Sequence, residues 1–331
     1  MHTGRHYSLD EVIRWTRRET YIFLVIMVIP TVAFQVLGWT WLSISWSPIA
    51  LVGTAVAFIT GFNNSAAYGR LWEARQVWSE IIDTSRTWGM MVADLVTAPE
   101  SAGVKRALIH RQIAWLTALR YHLREARAWE TMCRSDNTEY LERNYVVAEW
   151  DGKLDALLST LLDPAELSAV ALRKNRPTPL IGLQSKALRE GVEAGWLSDS
   201  HRLALINVLN RFLESQGKCE RLKNYPYPRQ FATLNLIFVW LFILLLPFGL
   251  MHEFRELGPG FVWLTIPAGV AIAWVLHTID KIGESSSNPF EGGPNDVPIT
   301  ALSRIAEIDL RESIGETDVP QPIEPRNNLL L

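Results

Sequence analysis

From Tyr21 to Gly69 the chain carries no Asp, Glu, Lys or Arg. A stretch that long offers water no charged face, so it belongs in lipid or deep in protein. A helix needs roughly 20 predominantly apolar residues to cross a bilayer, and this run is long enough for two crossings. The break falls between Gly38 and Pro48, where Trp39, Trp41 and Trp46 suit a membrane–water interface. Pro30 lies within the first crossing, a position that membrane helices tolerate. Two more uncharged apolar runs follow much later, Phe231 to Leu250 and Phe261 to Thr278. Four crossings put both termini on one side.

The whole-chain averages conceal this. At 48% hydrophobic and 20% charged residues, the composition would suit a soluble protein. The apolar residues are concentrated at the two ends of the 331-residue chain. Lysine and arginine set the orientation. The Trp39–Trp46 loop has neither and the Met251–Gly260 loop has only Arg255, while Arg14, Arg17 and Arg18 precede the first crossing. Both termini and the charged middle are therefore expected in the cytoplasm. The basic N-terminus is not read as a signal peptide, because Leu9, Val12 and Ile13 form a helical pattern and no small-residue cleavage site follows. It is expected to form a short interfacial or cytosolic helix.

The chain thus divides into a cytosolic N-terminal segment (1–20), two crossings (21–69), a charged helical region (70–229), two further crossings (230–279) and a polar tail (280–331). Within the middle, Glu73–Val96 and Val104–Trp129 are amphipathic. Asp163-Pro164-Ala165-Glu166 reads as a capped helix start, with the helix stopping near Lys174 before Pro177 and Pro179. Ser198-Asp199 opens a helix running to about Leu222. The tail has a turn-rich centre, a short helix near Ala301–Arg311 and Pro- and Asn-rich final residues expected to be disordered. No strand-like alternation persists, so the fold class is all-α.

Several functions fit poorly. A net charge of -3 gives no reason to expect nucleic acid as a partner. Cys133 and Cys219 lack ligand-like spacing, and no catalytic or nucleotide-binding signature stands out. No cofactor is expected. The spans lack an ionisable side chain of the kind a proton relay or coupled transporter uses. A lipid-directed enzyme would have only Arg70, Glu73 and His252 as loose candidates. A passive pathway is least troubled by these absences, and a membrane-anchored scaffold or sensor is the competing class.

Thr54, Phe58 and Phe62 stand at four-residue spacing, which stacks them on one helical face. Aromatic residues so spaced usually pack against other helices; a pore-lining helix needs the same stripe. Asn63 and Asn64 then begin the polar half of this helix. They suit a water-filled pore mouth, and interhelical hydrogen bonding explains them equally well.

The segment GFNNSAAYGRLWEARQVWSEI resembles the second-helix signature of the bestrophin family, whose bacterial members read much like GFRNNxxYxRxxEARxLWG. Independently, IGESSSNPFEGGPNDVPITALSRIAEIDLRE resembles the bacterial bestrophin tail, and YPYP before the third span and LLLPFGL at its end also fit. The resemblance covers nearly the whole chain. It implies a homopentameric channel for small monovalent ions in the bacterial inner membrane. Each subunit would have four transmembrane helices and a large cytosolic helical bundle around one central pore. It places the pore neck at Thr54, Phe58 and Phe62, with a more polar outer ring than many relatives have. It places a second constriction, the cytosolic aperture, at His201, or at Ser200 if the alignment shifts by one. Animal members bind calcium through an acidic run after NPFG. Here Glu291-Gly292-Gly293-Pro294-Asn295-Asp296 lacks most of those carboxylates, and no calcium gating is expected. Selectivity stays open between chloride and Na+ or K+.

Overall fold

A capping box opens the first helix. Ser8 Oγ accepts from the Glu11 backbone N–H, and a Glu11 carboxylate oxygen accepts from the Ser8 N–H at 2.8 Å. In this computed structural model, which describes residues 1–97 and 101–331, helix α1 runs Leu9–Gln35 without interruption. The separate N-terminal helix expected from the sequence is instead the first turns of the crossing helix. No Gly or Pro falls between Leu9 and Tyr21, and the Asp10–Arg14 pair supports the first turns.

The remaining helices are α2 (Trp46–Leu95), α3 (Ser101–Arg124), α4 (Ser135–Asn144), α5 (Leu154–Ser159), α6 (Pro164–Ala171), α7 (Pro177–Glu193), α8 (Asp199–Asn224), α9 (Arg229–Glu256), α10 (Thr265–Ser286) and α11 (Ile299–Ser313). Among the described residues no β-strand forms, and the only β-type pairings are isolated bridges near the termini. Among the described residues, four helical segments are long and apolar enough to cross a membrane: Leu9–Gln35, Thr40–Leu95, Arg229–Glu256 and Pro259–Ser286.

Several boundaries differ from the sequence expectation for local reasons. Helix α3 ends at Arg124, short of Trp129, where Trp150 Nε1 donates to the Arg124 carbonyl. Helix α6 does start where expected, with Asp163 at the N-cap and Pro164 in the first turn, but Asp163 makes no side-chain capping bond and Glu166 accepts from Arg111 at 2.7 Å. Pro177 does not merely follow a helix; it starts α7, where its missing N–H costs nothing. Helix α10 continues past Thr278 to Ser286. Its Lys281 is buried, pairs with Glu19 at 3.1 Å and lies over the Trp15 ring, so a charged residue is carried inside the helix end.

The chain forms two units. The first contains Arg5–Arg70 and Pro226–Ser287, and the second Met1–Gly4, Leu71–Tyr225 and Asn288–Leu331. In the first, Phe23, Met27, Val56, Val239, Phe242, Ile243 and Ala273 build the core. In the second, Trp78, Trp88, Trp115 and Phe212 are fully buried, with the Trp115 and Phe212 ring centroids 5.0 Å apart. Tryptophan therefore serves two environments, and Trp115 meets its polar need by donating to Gln216 at 3.1 Å.

The tail is tied into the second unit. Phe290 adopts a left-handed backbone conformation, φ 70°, which is costly for a side chain of this size. Two contacts hold it there: its ring is buried near Trp78, and its N–H donates to Asp296 at 2.9 Å. Asp296 also accepts from the Gly292 and Val297 N–H groups and from Arg124 at 2.6 Å. Glu291 accepts from the Thr131 backbone N–H and hydroxyl, both at 2.8 Å. The last residues, expected to be disordered, are placed instead. Leu329 is buried with Met132, Tyr145 and Val147, and the Ala301 N–H donates to the Leu331 carbonyl at 2.7 Å. Compositional signals for disorder missed these terminal leucines, which supply the apolar anchor.

Burial pushes the Glu291 carboxyl up to about 8, with Asp296 and Glu130 adding to the rise and Thr131 opposing it. A carboxyl raised in the folded state holds a proton that the unfolded chain releases near 4.5. Stability therefore falls as pH climbs from that value through about 8. Glu291→Gln keeps acceptor and donor groups for Thr131 and is expected to flatten this part of the thermal-unfolding profile. Parallel profiles for wild type and variant would contradict it.

Candidate functional site

The N-terminal half of α2 has two unlike faces. One is exposed: Leu51, Phe58, Phe62 and Tyr68 are 72%, 68%, 64% and 59% accessible, and Thr54 and Ser65 share the stripe. Phe58 and Phe62 meet edge to face, with centroids 5.1 Å apart. The Thr54 hydroxyl donates to the Ala50 carbonyl at 2.9 Å. Its proton is thus spent within the helix, and the residue adds less polarity to the stripe than its type suggests.

The opposite face is fixed closely against neighbouring helices. Val56, Thr60 and Ala67 are 1%, 2% and 3% accessible. Gly53 permits the approach of α9, since a Cβ there would lie 2.5 Å from the Phe242 ring. Thr60 donates to Asn235 at 3.0 Å, and Asn235 donates to Asp280 at 2.5 Å. This network fixes α2 against α9 and α10, and the sequence reading missed it. Asn235 is the one amide in the run Phe231–Leu250, a signal that could have found it. Asp280 lay just beyond the expected end of the fourth crossing.

Asn63 and Asn64, read as candidates for a pore mouth, both bond to neighbouring segments. The Asn63 side-chain oxygen accepts from the Tyr227 hydroxyl at 2.8 Å, and Asn64 donates to the Ile279 carbonyl at 3.0 Å. Their interhelical role is therefore occupied. Both remain half-buried beneath the Phe62 turn.

In the second unit, Ser198 caps α8 by accepting from the His201 N–H at 3.2 Å. Ser200 is exposed and shares a 3.0 Å hydrogen bond with Ser198. His201 is half-buried in the first helical turn, two residues before the exposed Leu203. Arg70 donates to the Ser287 carbonyl, Glu73 accepts from Arg221, and His252 bonds Ser43. Cys133 is exposed and Cys219 buried, and both are free thiols.

Replacing Gly53 by Leu would force α2 and α9 apart at a rigid ring. The expected cost is about 1–3 kcal/mol, read as a lower thermal-unfolding midpoint in detergent. An unchanged midpoint would show that this approach does not fix α2.

Comparison with known proteins follows this architecture. The sequence pattern of the bacterial/fungal bestrophin proteins matches residues 12–312. The chain is 28% identical over 297 residues to the voltage-dependent anion channel-forming protein YneE of Escherichia coli, covering 89% of this chain and 86% of that one. It is 26% identical to the voltage-dependent anion channel-forming protein RSc3414 of Ralstonia nicotianae, covering 83% and 79%. A crystal structure of a bacterial bestrophin homologue from Klebsiella pneumoniae superposes with a TM-score of 0.76 at 23% identity, covering 91% of this chain and 98% of that one. That likeness carries the fold, and the match to residues 12–312 carries the kinship. This chain belongs to the bacterial/fungal bestrophin family.

Proposed function

We propose that this protein is a passive channel for small monovalent ions, built as a homopentamer with α2 from each copy facing a central pore. The carrying observation is the uncovered Thr54–Phe58–Phe62 stripe, opposite a face held by Gly53, Thr60, Asn63 and Asn64. Packing explains the second face and leaves Thr54, Phe58 and Phe62 uncovered among the described residues. Five copies would close these phenylalanines into a narrow apolar neck. Such a ring gates by dewetting, because an ion does not cross a constriction emptied of water. Phenylalanine edges carry partial positive charge and favour an anion over a cation. The anion-channel names of the relatives support the same sign. Na+ or K+ passage is the alternative that measurement separates.

The aperture is assigned to His201 in the second unit, with Ser200 its neighbour. Asn63 and Asn64 provide the polar margin beneath the neck while bonded to their neighbours. Calcium does not gate the pore in this reading: Asp296 and Glu291 are already engaged by backbone, arginine and threonine donors. A calcium site of six to eight oxygen ligands would have to displace these bonds. In this reading the channel lies in a bacterial inner membrane, and the lysine and arginine distribution supports cytoplasmic termini.

Purified protein in planar bilayers under a KCl gradient is expected to reverse near the chloride Nernst potential, and Phe58→Ala to conduct more than wild type. Reversal near the potassium potential would reassign selectivity. An unaltered Phe58→Ala current would move the neck elsewhere, and folded pentamers without current would favour a membrane-anchored scaffold. His201→Ala, which removes the ring from the aperture, is expected to change the single-channel conductance. A variant identical to wild type in the size of its current would remove His201 from the pore.

A further inference from the structure

The second unit holds an open cavity of about 700 Å³, formed around the end of α3 by the loop that follows it, by α4 and by the start of α5. Pockets for small molecules span about 300–1,000 Å³, so the volume suits one. Its wall is largely apolar: Met132, Leu141 and Leu154 give aliphatic surface, and Tyr121 and Trp150 give rings. Both rings have spent their polar atoms inside the protein. The Tyr121 hydroxyl donates to Asp151 at 3.0 Å, and Trp150 Nε1 donates to the Arg124 carbonyl at 3.1 Å. What they leave to an occupant is π-surface, which a planar aromatic body matches.

The charges on the lining decide the sign of that occupant. Every carboxylate there already has a cation. Glu125 accepts from Arg127 at 3.2 Å, Glu149 from Arg120 at 2.6 Å, Asp155 from Arg176 at 2.5 Å, and Glu130 from Lys223. A cationic ligand would find no carboxylate that is not already neutralised. The cations are less fully used. Lys174 is exposed on the lining and makes no hydrogen bond or ion pair among the described residues. Arg176, two residues on, meets Asp155 through its Nη1 nitrogen. An anionic group therefore gains a partner at this edge, and charge complementarity selects it over a cation.

We infer that this cavity binds a small aromatic carboxylate, its ring against Tyr121 and Trp150 and its carboxylate at Lys174 and Arg176. Every lining residue lies in the second unit, and none belongs to the proposed neck or aperture. The site does not depend on the conduction reading.

The test is calorimetric titration of the full-length protein in neutral detergent with indole-3-acetate, 3-methylindole and tryptamine, which share a ring and differ in charge. Indole-3-acetate should bind most tightly and tryptamine least. Lys174→Gln should weaken indole-3-acetate about fivefold, the upper range for one exposed ion pair, and leave 3-methylindole unchanged. Cys133 is exposed on the same lining while Cys219 is buried, so bound indole-3-acetate should also slow alkylation of Cys133 by N-ethylmaleimide. Ala126 is exposed on the lining too, and Ala126→Phe should fill the space without disturbing a core and weaken all binding. Thermal unfolding of each variant confirms that it is folded. Equal affinity for the three indoles, or indole-3-acetate affinity unaltered by Lys174→Gln, overturns the carboxylate assignment. Absence of saturable indole-3-acetate binding, or binding that neither protects Cys133 nor responds to Ala126→Phe, overturns the cavity as a site.

Discussion

The contacts on the back of α2 are what the first unit depends on. A membrane helix gains little from burying apolar side chains against other helices, because lipid is just as apolar. Close approach and hydrogen bonds have to hold it. Gly53 supplies the approach, and Thr60, Asn235 and Asp280 supply the bonds. The Asn63 and Asn64 bonds extend the same line toward the polar half of the helix. These contacts fix the rotation of α2 about its axis, and rotation determines which residues are left uncovered. Phe58 and Phe62 are bare because Val56 and Thr60 are not.

That logic explains how much could be read in the amino-acid order. The crossings were legible because charge is absent over long runs, a signal that needs no partner information. The stripe was legible as a spacing. Whether it faced a neighbour or open space was not, since i, i+4 periodicity describes both. Asn63 and Asn64 show the same limit: paired amides at a helix midpoint suit a wet mouth and an interhelical bond alike, and only the positions of Tyr227 and Ile279 decide who receives them. The end of α3 was misplaced where a distant group intervened, Trp150 meeting its last carbonyl, whereas the start of α6 at Asp163-Pro164 held and only the Glu166 side chain was drawn elsewhere, to Arg111. Disorder at the C-terminus was a compositional inference, and a few apolar side chains were enough to defeat it.

Tryptophan usage shows a related ambiguity. Fourteen in one chain suggest membrane interfaces, and Trp39 and Trp41 do stand exposed and stacked in the loop after α1. Trp78, Trp88 and Trp115 instead fill the core of the second unit. Residue type records an amphipathic ring, and the surrounding helices decide whether its N–H meets water, a headgroup or, for Trp115, a glutamine.

The second unit carries a network of buried charge. Arg124 is fully buried, donates to Asp296 at 2.6 Å and lies beside Glu149, which also accepts from Arg120 and Thr300. Buried ion pairs seldom add much net stability, because desolvation offsets most of the attraction. What such a network does impose is a single arrangement, since any shift leaves a charge unpaired in a dry interior. Asp296 shows the consequence for the tail. One carboxylate holds three backbone N–H groups and one guanidinium, and with them the left-handed backbone of Phe290. Asp296 is one of the two carboxylates in the segment Glu291–Asp296. In the folded chain its oxygens already have their donors, and a metal would have to dismantle the turn to reach them.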